Sequence, residues 1–328
     1  EELAAELGPY FTQGMPEDTN ALKDGTLDDD DYVRQVALVQ HDTRAMLHLA
    51  LSRFEPGDMT FVYLSDIDLQ SHMLWRHGDP KYPGAPPHPA YEAESAARHD
   101  RDIEQFYRDV DQEVGRVRAE LPPEALLMVM SDHGFQPYTR KMHLNAWLRD
   151  MGYLVLRDGK QTGDFTGDDV DWSKTRAYGL GFNGLYLNRV GRESQGIVTE
   201  AQAPALEDAL VRDLAALIDP ESGAHPVKRT AKARDTFHGL RVAEAPDLVV
   251  GYDVGYGCSD ESTLGEIVAP VFEANTDKWS GNHLMAPEVV PGVLLVNRKL
   301  TSSGSDLMDL TATLLAQFGV APAPGMTG

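Results

Sequence analysis

The sequence predicts an α/β protein in which helices cover both faces of a mainly parallel central sheet. Short apolar runs recur along the chain at 58–65, 125–131, 247–252 and 292–297, with amphipathic helical patterns between them. Strands that are apolar on both faces are typical of parallel sheets enclosed by helices. A chain of 328 residues with 42% hydrophobic residues is long enough to bury such a core.

The elements of the first half follow from periodicity. Residues 32–52 carry apolar side chains on one helical face, and 94–121 form the clearest amphipathic helix. The runs 58–65 and 125–131 are short and rich in β-forming residues, so each predicts a buried strand. Residues 78–90 hold five prolines and therefore predict a loop.

In the second half, helices are predicted over 143–152 and 204–218, and a last helix is predicted to begin at a Ser305 cap. A polar, Gly/Asp-rich surface insertion is expected at 158–173. Further strands are predicted at 153–157, 184–188, 247–252 and 292–297. We expect one domain over 1–328, with the runs 59–65, 125–131, 247–252 and 292–297 in the same sheet.

Composition limits the function classes. The formal net charge is −23, from 52 acidic and 29 basic residues, so a nucleic-acid partner is not expected. The single cysteine, Cys258, excludes an internal disulfide and a cysteine-rich zinc site. No apolar run is long enough to predict a transmembrane helix, and no signal-like stretch is visible. Compartment and oligomeric state stay open.

Polar residues follow two of the apolar runs directly. Asp68 comes just after 58–65, and His72 lies four residues later, where a helical turn would place both on one face. Asp132 and His133 follow 125–131. Because ligand groups gather beyond the carboxyl ends of parallel strands, these residues are expected at one rim.

His283 lies in a Gly/Asn-flanked loop before the run 292–297 and would add a third imidazole to that rim. Carboxylate oxygen and imidazole nitrogen are common zinc ligands. The alternative is that Asp68 caps a helix, while His72 and His283 are unrelated surface residues.

Several stretches resemble the type I phosphodiesterase/nucleotide pyrophosphatase family of the alkaline phosphatase superfamily, and the similarity runs across nearly the whole chain. They are Ser131-Asp132-His133-Gly134-Phe135, Leu144-Asn145-Ala146-Trp147-Leu148, Asn183-Gly184-Leu185-Tyr186-Leu187-Asn188, Pro246-Asp247-Leu248 and Trp279-Ser280-Gly281-Asn282-His283. The resemblance implies an alkaline-phosphatase-like sandwich and a hydrolase for a small phosphate ester such as a nucleotide.

It also implies two divalent metal ions, zinc in the first place and manganese as the alternative. One ion would be held by Asp68, His72 and His283. The other would be held by Asp132 and His133, with further groups that this sequence does not supply.

The sequence departs from the family pattern before Asp68. The family has another metal-binding Asp and a Thr or Ser nucleophile there, whereas Asp24-Gly25-Thr26 follows no apolar strand and reads as a solvated turn. We therefore expect an N-terminal portion to be missing, the nucleophile to lie upstream, and this chain alone to be inactive or weakly active. A phosphomonoesterase, phosphonate hydrolase or mutase, and a catalytically silent metal-binding or interaction protein, remain as alternatives.

The remaining candidates have simpler interpretations. Cys258 has no basic neighbour in sequence to activate it as a nucleophile. Surface or satisfied positions are expected for His77, His88, His99, His143, His225 and His238.

Overall fold

The computed structural model describes residues 2–12, 16–78, 87–300 and 306–326. The helices are α1 (Glu2–Leu7), α2 (Thr19–Asp24), α3 (Asp29–Ser52), α4 (Asp66–Leu74), α5 (Ala93–His99), α6 (Asp102–Glu120), α7 (Leu144–Asp150), α8 (Ala203–Ala215), α9 (Ala233–Thr236), α10 (Asp260–Leu264) and α11 (Leu307–Gln317). The strands are β1 (Met128–Met130), β2 (Gln136–Met142), β3 (Gly163–Asp164), β4 (Ala177–Gly179), β5 (Gly184–Leu187), β6 (Val227–Lys232), β7 (Leu248–Tyr252), β8 (Gly255–Cys258), β9 (Glu266–Ile267), β10 (Phe272–Ala274), β11 (Gly281–Asn282) and β12 (Leu294–Val296). The α/β class is confirmed.

Residues group into two compact units. Unit 1 comprises Glu1–Gln70, Arg101–Gly134 and Pro291–Gly328. Unit 2 comprises Ser71–Asp100 and Phe135–Val290. The single domain expected over 1–328 stays a prediction.

Unit 2 contains an extensive apolar core. Strands β4, β5, β7 and β6 form one antiparallel sheet in that order. Strand β2 is the centre of a second sheet, in which β8 is its parallel neighbour and β10 and β11 are antiparallel to it. Fully buried leucines, including Leu148, Leu185, Leu210 and Leu248, belong to one cluster that joins these sheets to α7 and α8.

Unit 1 is built mainly from helices. Helix α3 begins after Asp28, whose side chain accepts a hydrogen bond from the Asp31 backbone amide. The acidic run at 28–31 therefore caps this helix and complements its dipole. Strand β1 pairs with β12 in antiparallel register, with Met128 opposite Val296.

The described strands do not form the mainly parallel sheet that the sequence predicted. Of their eight paired ladders only one, between β2 and β8, is parallel. The prediction of one common sheet is wrong, because 59–65 forms no strand and β7 lies in a different sheet from β1. Apolar runs predict burial, but they do not specify which strand becomes the neighbour.

The observed elements also differ from the predicted ones at several individual segments. The predicted helix over 94–121 is interrupted between α5 and α6, and 153–157 forms only an isolated bridge through Leu156. The predicted surface insertion 158–173 contains β3, and its Val170 is buried. Helix α11 is capped by Asp306; Ser305 and most of the proline-rich loop lie outside the described residues.

Candidate functional site

Helix α4 places the first two candidate ligands. It begins at Asp66, directly after the segment 58–65, which forms no strand, so Asp68 and His72 lie one turn apart on the same helix. Because the helix is continuous, α4 itself fixes their spacing. His72 is buried, whereas Asp68 is partly exposed.

The imidazole of His72 is held in one orientation. Its Nδ1 lies 2.8 Å from the carbonyl oxygen of Gly281, so Nδ1 carries the proton and donates it. The Trp279 ring stacks on the imidazole at 3.8 Å between centroids, and Phe135 packs edge-on at 4.7 Å. The Nε2 atom is consequently the ring nitrogen that would act as a metal ligand.

A close approach of two backbones explains the glycine in this loop. A Cβ atom at Gly281 would lie 2.3 Å from the carbonyl oxygen of Ser71, which no side chain could tolerate. Strand β11 pairs with β2 at this point, with Gly281 opposite Pro137. Only glycine therefore allows the loop to reach His72.

His283 reaches the same place from the end of β11. The Asn282 side chain accepts hydrogen bonds from the backbone amides of His283 and Leu284, at 2.8 and 3.0 Å. The rings of His72 and His283 are 5.0 Å apart between centroids. One ligand atom from each of Asp68, His72 and His283 lies within 4.8 Å of the other two.

Asp132 and His133 lie beside Asp68. The Nε2 atom of His133 is 3.7 Å from Asp68 Oδ1 and 3.6 Å from Asp132 Oδ2. Asp132, His133 and Asp68 thus form one group of candidate ligands.

The electrostatics of Asp68 favour a cation. Burial raises the pKa of this carboxyl, His133 opposes that shift, and the nearby Asp132 carboxylate adds to it. A divalent cation would stabilise the ionised Asp68 carboxylate against both its burial and the repulsion from Asp132.

The donor set fits zinc. Asp68 supplies oxygen, while His72 and His283 supply nitrogen, which leaves a fourth position open as in catalytic zinc sites. Atoms at about 2.0–2.2 Å from one ion in a tetrahedral site lie roughly 3.4 Å apart. Because the ligand atoms lie within 4.8 Å of one another, the side chains would need to draw together by at most about 1.4 Å.

Two further candidates from the sequence have simpler structural explanations. Asp24-Gly25-Thr26 is the turn that ends α2: Gly25 is left-handed at φ 82°, and the Asp24 carboxylate accepts from the Thr26 amide. Burial raises the pKa of the Cys258 thiol, which argues against a nucleophilic role.

Of the remaining histidines, His225 and His238 are exposed, and His88 is buried and satisfied, with Nε2 2.7 Å from the Tyr138 carbonyl oxygen, so these three agree with the expectation. His143 is buried as well.

Sequence reasoning assigned no role to the aromatic rings around His72. The available signal was their spacing, because Trp279 precedes His283 by four residues and Phe135 follows His133 by two.

Comparison with known protein families identifies the family of the chain. The sequence profile of the family described as type I phosphodiesterase / nucleotide pyrophosphatase matches residues 11–277. The matched range includes Asp68, His72, Asp132 and His133 and ends before His283. No curated protein matches the chain. Since the match covers well over half of its length, the chain belongs to the type I phosphodiesterase/nucleotide pyrophosphatase family.

Proposed function

We propose that this protein is a metal-dependent phosphoric ester hydrolase of the phosphodiesterase/nucleotide pyrophosphatase type. Asp68, His72 and His283 would hold one zinc ion. Asp132 and His133 would contribute to a second, with Mn²⁺ as the alternative metal. A small phosphate ester such as a nucleotide is the proposed substrate. Among the described residues, no helix is long and apolar enough to cross a membrane.

The observation that carries the proposal is the convergence of one carboxylate and two imidazoles within 4.8 Å of one another. When two such ions are bound, they stabilise the charge that develops on phosphate oxygens during displacement at phosphorus. The protein's own part is orientation. Gly281 and Trp279 fix the His72 ring, so Nε2 is presented without rotational freedom.

The hydroxyl nucleophile implied by the resemblance stays a prediction. The residues named above would bind metal and substrate oxygens. They would also exclude water through the Phe135 and Trp279 rings.

Zinc binding tests the proposal. His72→Ala should weaken Zn²⁺ affinity by more than about 100-fold, because losing a ligand costs more than losing an outer-shell partner, about 10–100-fold. His238→Ala is the matched control, since His238 is exposed and lies far along the chain from the ligands. Competition against a chromophoric chelator measures both affinities. Equal zinc affinity in the two variants would remove the metal site from the proposal.

A further inference from the structure

The two faces of helix α4 have different roles. Asp66 and Gln70 lie one turn apart on one face and are both buried. Asp68 lies about 200° around the helix from Asp66, since each residue turns the helix by about 100°. The side of α4 that carries Asp68 and His72 is thus opposite to the side that carries Asp66 and Gln70.

The Asp66 and Gln70 face is anchored by polar contacts. The Arg44 guanidinium of α3 donates to Asp66 at 2.5 Å, and the Gln70 side chain donates to Glu17 at 3.2 Å. The Asp66 side chain is 3% exposed. Its carboxylate therefore depends on Arg44 for the compensation that water would otherwise provide.

Arg44 also approaches a second buried carboxylate. Its Nε lies 3.9 Å from Glu113 of α6, whose side chain is 2% exposed. One guanidinium thus faces two buried acids from different helices. The planar fork of arginine can contact both, whereas the ammonium of a lysine acts as a single point charge.

We propose that Arg44 is a positioning residue for the metal site. By holding Asp66 it fixes the rotation of α4 about its own axis, so that Asp68 and His72 point toward the ligand cluster. This inference rests on the proposed function, because it assumes that those residues bind the metal. Arg44 contacts neither the metal nor the substrate.

The structure supplies a matched control for this role. Arg116 of α6 also pairs with Glu113, at 3.4 Å, but its side chain is 60% exposed and it has no contact with Asp66. Arg116→Gln removes a positive charge beside the same glutamate without releasing α4. A general effect of charge or stability would appear in both arginine variants.

The test measures Zn²⁺ affinity of the full chain with a competing chromophoric chelator. Arg44→Gln and Asp66→Asn should weaken affinity by about 10–100-fold, the range typical of residues that orient metal ligands. Arg44→Lys should fall between Arg44→Gln and the unmodified protein. Arg116→Gln should stay within about twofold, because Arg116 pairs with Glu113 and not with Asp66, so α4 keeps its anchor.

The visible spectrum of bound Co²⁺ adds a readout that folding stability alone would not move. It should change in Arg44→Gln and stay unchanged in Arg116→Gln, because only the former alters ligand geometry. If Arg44→Gln does not fold, Asp66→Asn decides the question.

The inference is overturned if Asp66→Asn retains full affinity, or if Arg116→Gln loses as much affinity as Arg44→Gln. By contrast, zinc binding that is indifferent to His72→Ala contradicts the proposed function itself, so the two failures are distinguishable.

Discussion

Two apolar runs of similar composition have opposite surroundings in the two units. In unit 2 the run 247–252 becomes β7, where Val250 and Tyr252 are fully buried between neighbouring strands. In unit 1 the run 58–65 forms no strand, and Phe61 and Tyr63 are 75% and 65% exposed. An apolar run thus encodes a tendency to be buried, while the partner that buries it is specified elsewhere in the chain.

The strands of the two units differ in the same way, in how many neighbouring strands cover them. Strand β7 has a neighbour on each side, whereas β1 and β12 form a two-stranded ribbon. Such a ribbon has little stability of its own. Leu295 of β12 is 63% exposed, although its sequence context resembles that of buried strands.

A leucine-to-alanine substitution in a strand of each unit tests this difference in burial and should give the largest effect. Leu248→Ala in β7 should reduce the free energy of unfolding by about 2–5 kcal/mol, because it empties a fully buried position. Leu295→Ala removes the same atoms from an exposed position and should cost less than about 0.5 kcal/mol. Urea unfolding of both variants gives the comparison. Similar losses in the two would mean that the exposed ribbon is buried in solution.

How much of the fold the sequence could predict follows from the same reasoning. Helices α3, α7 and α8 were predictable, because their periodicity is a property of the segment itself. Pairing was not predictable, since the antiparallel partners β5 and β7 are about 60 residues apart and no local pattern specifies their direction. The turn at Asp24 was predictable, because the preference of glycine for a left-handed conformation is local.

The candidate ligand residues could be proposed from the sequence, but the contacts that orient them could not. Asp68 and His72 follow from helical spacing, and Asp132 and His133 from their place after a strand. Placing His283 with them required the family resemblance, since a histidine in a glycine-rich loop has no local signal. Trp279 stacking and the Arg44–Asp66 pair depend on long-range packing, so sequence spacing could not indicate them.

Buried carboxylates also differ between the units. In unit 2, the negative charge of Asp219 is stabilised by several hydrogen bonds and an ion pair. Asp219 accepts from Tyr256 Oη at 2.9 Å and pairs with Arg140 at 2.6 Å. Burial alone would raise the pKa of this carboxyl, but its backbone hydrogen bond, Tyr256 and Arg140 hold the pKa below its usual value of 3.8. A lowered folded pKa means that ionised Asp219 stabilises the protein above pH 3.8, and this contribution is lost as pH falls further.

Asp219→Asn should therefore lower the free energy of unfolding by about 1.5–3 kcal/mol at pH 7, the range for hydrogen bonds to charged groups. The deficit should shrink as the pH falls below 3.8, because the unmodified protein then loses the same contribution. Glu221→Gln is the control: Glu221 also contacts Arg140 but is 76% exposed, so little change is expected. A deficit that does not vary with pH would contradict the linkage.

The smallest predicted effect has the opposite sign and concerns Glu17 in unit 1. One of its oxygens accepts from Gln70, while the other, Oε2, is buried with no hydrogen-bond partner among the described residues. Burial raises the pKa of this carboxyl above 4.5, and the nearby Asp66 adds to the shift. A raised folded pKa means that stability is fully present below pH 4.5 and is lost as pH rises through the folded pKa.

Glu17→Gln keeps the acceptor for Gln70 and removes the buried charge. It should leave the free energy of unfolding nearly unchanged at pH 4 and increase it at pH 7, because the buried carboxylate, whose pKa is raised, is ionised there without full compensation. Exposed Glu55 provides the matched control, and Glu55→Gln should change stability by less than about 0.5 kcal/mol at either pH. If Glu17→Gln destabilises the protein at pH 7, then the Glu17 carboxylate is compensated as well as Asp219, and the difference between the buried carboxylates of the two units disappears.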